Sequence, residues 1–223
     1  MDLYPYIYTH AMIASTSGVP LVRAMAFGFP NDPDIWQIDN ELQYCFGSDL
    51  LVSPVYSGHS EVWNVHLPSG TWCDFWDGTP HQGGRTIQVS ADIDYLPVFA
   101  RAGAIIPLLD PSADTLLPVL DEPEIKVAGN NLRLQIYPGA DGSFQLYDGT
   151  QFNWQESTLT LQVSSQPVDR QISVRMMVPT LQFNHVMDEH GNHLPTENTN
   201  LNGDSDHIRF QTLKGQTYQV FFK

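Results

Sequence analysis

The sequence predicts a mainly β fold, two antiparallel β-sandwich domains preceded by the last helix and strand of a (β/α)8 barrel, and three features carry that expectation. Beyond residue 60 apolar residues recur with a period of two, the mark of strands with one buried face. A Pro- and Asp-rich stretch around residues 110–123 interrupts that pattern, so the β-rich chain divides into two parts. Ahead of both, a helical pattern runs into a near-continuous apolar segment, as a strand buried on both faces does at the close of a parallel barrel.

In order, residues 2–17 place Leu3, Tyr6, Ile7, Ala11 and Ala14 at helical spacings, with Pro5 in the permitted first turn and Gly18 as a left-handed stop. Residues 21–29 form the apolar run, ended by Pro30-Asn-Asp-Pro33. Trp63, Val65 and Leu67 then alternate with Asn64 and His66, and Ile87 and Val89 with Thr86 and Gln88, which places the apolar members on a core and the polar ones in water. Pro107, Pro111, Pro118 and Pro123, interleaved with Asp110, Asp114, Asp121 and Glu122, leave few regular hydrogen bonds, and limited proteolysis is expected to cut first between residues 110 and 123. The second β-region carries Leu132-Leu134-Ile136, Phe144-Leu146, Leu159-Leu161-Val163, Ile172-Val174-Met176 and Tyr218-Val220-Phe222, separated by Gly-containing turns, which implies a sandwich.

Composition excludes several function classes. The 223 residues are 42% hydrophobic, enough for real cores, and 25 acidic against 10 basic residues give a charge of −15. That charge repels phosphate backbones and anionic lipid, so neither nucleic acid nor membrane is an expected partner. Met1-Asp2-Leu3 lacks the cationic start and apolar core of a signal peptide, which leans towards the cytoplasm while leaving the compartment open. Cys45 and Cys73, the two cysteines, make neither a disulfide scaffold nor a four-ligand zinc site and read as buried thiols.

Asp92 and Asp94 on a strand share a face at ~6–7 Å, near the separation of a glycosidase pair, yet beside an apolar run they read better as turn residues. Asp74 and Asp77 read as a hairpin corner with Asp-Gly at its turn. Trp63, Trp72, Phe75 and Trp76, and likewise Phe152 and Trp154, fill a core or stack on sugar rings. His185, His190 and His193 suit a polar hairpin better than a metal, and Gly139-Ala-Asp-Gly-Ser143 lacks the acidic ladder of a calcium loop. No catalytic, substrate-binding or metal-ligating residue is therefore assigned to this chain, and no cofactor is expected.

Residues 62–108, with Phe46-Gly-Ser-Asp-Leu-Leu-Val-Ser-Pro-Val55 upstream, resemble the region that follows the catalytic barrel in glycoside hydrolase family 31, the α-glucosidases and α-xylosidases. Leu3-Tyr-Pro-Tyr-Ile-Tyr-Thr9, Gly18-Val-Pro-Leu-Val-Arg23 and Phe29-Pro-Asn-Asp32 are similar to the family's last barrel helix and strand, and residues 134–148 to the opening of its distal β-domain. The resemblance implies three parts: residues 1–36 closing the barrel, 37–118 a proximal sandwich and 119–223 a distal one. It also implies a retaining, metal-independent hydrolase of α-glucosides or α-xylosides whose two catalytic Asp residues lie on earlier barrel strands, in motifs this sequence does not contain. A carbohydrate substrate is then met through the missing barrel, and residues 1–30 expose apolar surface whose deletion is expected to relieve aggregation. The rival readings are a non-catalytic carbohydrate-binding β-module and a purely structural fragment.

Overall fold

The computed structural model describes residues 2–37, 42–56, 62–90, 92, 94–111, 131–164, 166–178, 180–201 and 204–223. The chain divides into two compact units, Ile13–Ala102 and a second made of Met1–Met12 with Gly103–Lys223. Helix α1 (Tyr4–Ser17) begins with Pro5 in its first turn and stops at Gly18, whose φ of +75° only glycine adopts freely. Its buried face is Pro5, Tyr6, Thr9 and His10, while Ile7, Met12 and Ile13 are exposed. The apolar stripe read through Ile7 and Ala11 thus points outwards, because Tyr6 and His10 pack on Phe144 and the Thr9 hydroxyl accepts the Tyr147 amide N–H at 3.1 Å.

Within Ile13–Ala102 the strands are β1 (Val22–Ala24), β2 (Tyr44–Phe46), β3 (Leu50–Val52), β4 (Val62–Leu67), β5 (Thr71–Asp74), β6 (Pro80–Gln82), β7 (Arg85–Ser90) and β8 (Val98–Arg101), with a single helical turn α2 (Met25–Gly28) after β1. They form an antiparallel sheet in the order β1-β2-β3-β8-β5-β6 and a separate ribbon β4-β7. The two layers share a core of Met25, Ile35, Cys45, Leu51, Val65, Leu67, Trp72 and Phe99. Pro80 sits on the edge strand β6, where its missing N–H interrupts no ladder.

One expected element is corrected here. The run at residues 21–29 is not a long strand buried on both faces: β1 is three residues long, pairs antiparallel with β2, and gives way to α2. The sequence Met-Ala-Phe-Gly has no β-branched residue, so continuous apolarity there is equally compatible with a helical turn. Val22 is 54% and Phe27 77% exposed, so apolar side chains in this run face solvent.

The remaining strands are β9 (Ile105–Leu109), β10 (Leu132–Ile136), β11 (Gly142–Gln145), β12 (Gln151–Gln155), β13 (Thr160–Ser164), β14 (Arg170–Met176), β15 (Phe183–Asp188), β16 (Glu197–Leu201), β17 (Asp204–Thr212) and β18 (Tyr218–Phe222). Two five-stranded sheets result, β16-β17-β14-β10-β9 and β11-β12-β13-β18-β15. All pairs are antiparallel except β10 with β14, and a parallel pair needs a long crossover, supplied here by the β11-β12-β13 meander of the opposite sheet. The two sheets meet where Phe210 and Tyr218 lie 6.3 Å apart. Each apolar alternation read from the sequence in this region is buried, from Leu132, Leu134 and Ile136 to Tyr218, Val220 and Phe222, except Leu159, which leaves the strand at φ +49°.

The compact units divide between Ala102 and Gly103 because β9, which precedes the Pro-rich stretch, pairs with β10 along Leu132↔Leu109 to Ile136↔Ile105. Residues 112–130, which include most of that stretch, lie outside the described residues. The junction needs glycine twice: a Cβ on Gly142 would lie 1.7 Å from the Gly103 carbonyl oxygen, and one on Gly103 would lie 2.6 Å from that of Asp141. Gly142→Ala is accordingly expected to cost about 1–3 kcal/mol by forcing this backbone crossing apart. A urea midpoint equal to that of the parent chain would show that the crossing yields easily.

Candidate functional site

The carboxylate pairs singled out in the sequence are turn groups. Asp92 and Asp94 are exposed, and the Tyr95 N–H donates to the Asp92 carbonyl at 3.0 Å, closing a turn after β7. Asp74 is buried at the end of β5, where one carboxylate oxygen accepts the N–H groups of Trp76 at 2.8 Å and Asp77 at 3.4 Å and the other accepts the Tyr95 hydroxyl. Burial, reinforced by that carboxylate, pushes the Tyr95 phenol above its ordinary range. Asp77 accepts the Thr79 N–H at 2.8 Å, and Gly78 takes φ +78°. These contacts organise the hairpin corner and leave neither carboxylate placed to exchange protons with a substrate.

The aromatic cluster divides by exposure. Trp72 and Phe75 are buried, with the Trp72 indole N–H donating to the Pro68 carbonyl at 2.8 Å. Trp63 is half-buried, donates to Ser53 at 3.2 Å and meets Tyr56 edge-on. Trp76 is 53% exposed, its indole N–H fixed on the Leu96 carbonyl at 2.8 Å. Phe152 and Trp154 are core residues. Since Trp63 keeps part of its ring in water, Trp63→Ala is expected to cost about 2 kcal/mol rather than the ~3–5 of a fully buried aromatic. Thermal unfolding of the two forms measures it; a loss at the upper end would place the ring wholly inside the core.

His185, His190 and His193 belong to a hairpin centred on Gly191. His185 stacks on Phe221 and lies 4.8 Å from the His193 ring, whereas His190 is exposed beside Glu189. Asp188 organises the turn by accepting from the Asn192 side chain and from the backbone N–H groups of His190 and Asn192, contacts that hold its carboxyl below the usual range. The Gly139–Ser143 loop is closed by protein groups: Glu156 accepts the Gly139 N–H and the Trp154 indole, and Asp141 accepts the Glu156 N–H. Cys45 and Cys73 are free, buried thiols, and burial aided by Asp74 raises Cys73 to about 11.

A grouping the sequence reading passed over lies between α2 and the β4-β7 ribbon. The loop after Phe29 turns at Pro30 and Asn31, and Asp32 caps the short 3-10 turn Pro33–Trp36 by accepting the Asp34 N–H at 3.0 Å. His66, on β4, is 1% exposed, and its Nε2 lies 2.9 Å from the second Asp32 oxygen. Gln43 clamps the His66 backbone, accepting its N–H and donating to its carbonyl, each at 2.8 Å. Ligand-type atoms of Asp32, Asp34 and His66 lie within 4.8 Å of one another on a cleft of about 440 Å³, lined also by Phe29, Pro68, Ser69 and Gly84. Alternation with Val65 and Leu67 had put His66 in water. Instead β4 ends with three consecutive buried residues, because the Phe29–Asp34 loop covers its other face.

These features define a mainly β protein of two sandwich units, one carrying a Trp-rich hairpin beside a carboxylate-lined cleft. Residues 18–106 match the family model described as the C-terminal domain of glycosyl hydrolase family 31. Among its relatives, an isomaltosyltransferase of Sporosarcina globispora is 45% identical over 108 residues, 48% of this chain and 10% of that protein. An α-xylosidase of Saccharolobus solfataricus is 35% identical over 147 residues, 66% of this chain and 19% of that protein. The structure resembles the cycloalternan-forming enzyme of Listeria monocytogenes with a TM-score of 0.76 and 25% identity, over 99% of this chain and 22% of that one. A family 31 α-xylosidase of Xanthomonas citri gives 0.72 and 26% over 99% of this chain and 23% of that one. The chain thus spans a tenth to a fifth of the length of the curated relatives named here.

Proposed function

We propose that this chain is the C-terminal, barrel-supporting part of a retaining α-glycosidase acting on α-glucosides or α-xylosides, and that it contributes no catalytic carboxylate. The observation that carries this reading is the coverage: 99% of the chain aligns with under a quarter of the cycloalternan-forming enzyme and of the Xanthomonas citri α-xylosidase. Of the three parts expected from the sequence, residues 1–36 closing the barrel, 37–118 the proximal sandwich and 119–223 the distal one, the last would begin earlier, at Gly103, because β9 pairs with β10. Supporting that assignment, α1 exposes Ile7, Met12 and Ile13, and the segment after it exposes Val19, Val22, Phe27 and Trp36, more apolar surface than an isolated short helix and edge strand need.

Retaining chemistry needs a nucleophilic carboxylate and an acid/base about 5–5.5 Å apart, and Asp74, Asp77, Asp92 and Asp94 are committed to turns or to solvent. The purified chain is therefore expected to release no nitrophenol from nitrophenyl α-glucoside or α-xyloside. Turnover lost in Asp92→Asn or Asp94→Asn would sink this reading. The association expected from the exposed apolar residues is better tested by Phe27→Ser than by removing residues 1–30, because that deletion also strips Tyr6 and Thr9 from the core around Phe144 and Tyr147. Light scattering should fall in Phe27→Ser. Saturable binding of an oligosaccharide, lost in Trp76→Ala, would instead favour the carbohydrate-binding rival.

A further inference from the structure

We propose that the outward face of the sheet β11-β12-β13-β18-β15 binds a neutral oligosaccharide of the α-glucan class, an inference that rests on reading this chain as part of an α-glycosidase. Alternate residues of these strands, among them Phe152, Trp154, Leu161 and Val220, are buried in the core, so the register fixes what faces outwards. Ser143, Asn153, Gln162 and Gln219 stand abreast on four neighbouring strands. The next row along the strands runs through Gln155, Thr160, Phe221 and His185. The His185 ring stacks on Phe221 at 4.6 Å, and His193 joins that end of the row, its ring 4.8 Å from His185.

Two independent observations give the ligand its chemistry. The first is charge. The chain carries 25 acidic and 10 basic residues, yet no outward residue of these five strands is Asp, Glu, Lys or Arg. Asp188, at the end of β15, has the inward parity of Val186 and is tied into its own turn. The opposite sheet of the same unit carries Arg133, Arg175 and Arg209 at its outward positions, so charge is kept off one face rather than scarce in the unit. A charged ligand finds no counter-ion on the neutral face, and an anion is repelled by the net charge of −15 as well. The second observation is unused hydrogen-bonding capacity. Gln43 spends its amide on His66, and Gln135 accepts the Tyr137 hydroxyl at 3.3 Å. Among the described residues, by contrast, the side-chain amides of Asn153, Gln162 and Gln219 have no hydrogen-bond partner. Each offers two donors and an acceptor, on strands ~4.8 Å apart, and sugar hydroxyls, which donate and accept at once, suit such a row. Phe221 and His185 add ring surface for the apolar face of a pyranose. A protein partner fits less well, because interface cores are apolar, whereas the apolar side chains among the outward residues of β11, β12, β13 and β18 reduce to Phe221.

Proton–nitrogen correlation NMR of the full chain, titrated with isomaltotetraose at neutral pH, tests this, because side-chain amide resonances report on the contacts themselves. Saturable shifts are expected in the amides of Asn153, Gln162 and Gln219. Gln162→Ala combined with Gln219→Ala should weaken binding about 10-fold, with far-UV circular dichroism confirming the fold; Asn153→Ala, weakening it by a smaller factor, keeps the test decisive if the pair unfolds. Tetragalacturonate, with a carboxylate on every ring, should shift none of these amides. Turnover of nitrophenyl α-glucoside by the same sample would sink the reading of the chain as a part without catalytic carboxylates, whatever the amides show. Absence of saturable shifts, shifts confined to the Trp76 indole and lost in Trp76→Ala, or affinity unchanged in the folded glutamine and asparagine variants would each overturn the present proposal alone. So would tetragalacturonate or cellotetraose binding as tightly as isomaltotetraose, or shifts that follow protein rather than sugar concentration, the mark of a second copy on this face.

Discussion

Asp148→Ala is expected to lower stability by about 3–5 kcal/mol, the cost of leaving a buried charge without its partner. Arg170 at the start of β14 has a side chain only 2% exposed, and its guanidinium is paired with the Asp148 carboxylate. Burial alone would push the Asp148 carboxyl up, but the Arg170 contact and the hydrogen bonds from Thr150 outweigh it and hold the carboxyl below its ordinary value. A carboxylate with a depressed folded value contributes stability at pH above its unfolded value, and that contribution disappears as pH falls through the folded one. Acidification below about pH 4 should therefore weaken the parent chain more steeply than Asp148→Ala. Urea midpoints collected from pH 6 downwards read both effects; an unchanged acid slope in the variant would show that other carboxylates govern it.

That pair illustrates what the sequence made legible. Strand alternation names the core of the second unit nearly residue for residue, because each strand there has one face on the opposite sheet. It does not reveal that Arg170 and Asp148, 22 positions apart, meet in that interior, since a buried ion pair leaves no periodic trace. The same gap hid the candidate site. Asp32 was visible as a strand stop and His66 as a polar strand residue, but their contact spans 34 positions and depends on a loop folding over the face that alternation assigns to water. The N-terminal segments were misread for a different reason. In residues 21–29 nearly every side chain is apolar, so no period distinguishes a strand from a helical turn, and in α1 a face made of Tyr6, Thr9 and His10 outranks a more apolar one because aromatic partners await it. The hairpin corner at Asp74–Gly78 was readable because Asp-Gly encodes its own turn.

The second large effect belongs to Trp72, in the stretch that first suggested the family. Trp72→Ala is expected to cost about 3–5 kcal/mol, as truncation of a buried aromatic does when the site cannot collapse. The ring is 2% exposed, meets Phe29 edge-on at 5.9 Å and lies under the Arg101 guanidinium at 5.8 Å, and its N–H satisfies the Pro68 carbonyl. Collapse is hindered on every side: β5 is locked between β6 and β8, and a Cβ at Gly83 would already stand 1.9 Å from the Pro68 oxygen, so this turn has no slack to refill a cavity. Trp76, four residues on, is the internal control. Its ring is mostly in water, so Trp76→Ala should cost below about 1 kcal/mol. Chemical denaturation followed by far-UV circular dichroism compares the two, and equal losses would mean that the hairpin, not the depth of the ring, sets the stability of this unit. If the order holds, the Trp-Cys-Asp-Phe-Trp signature splits by depth, with its first tryptophan holding the sandwich together and its second left free to meet whatever the unit faces.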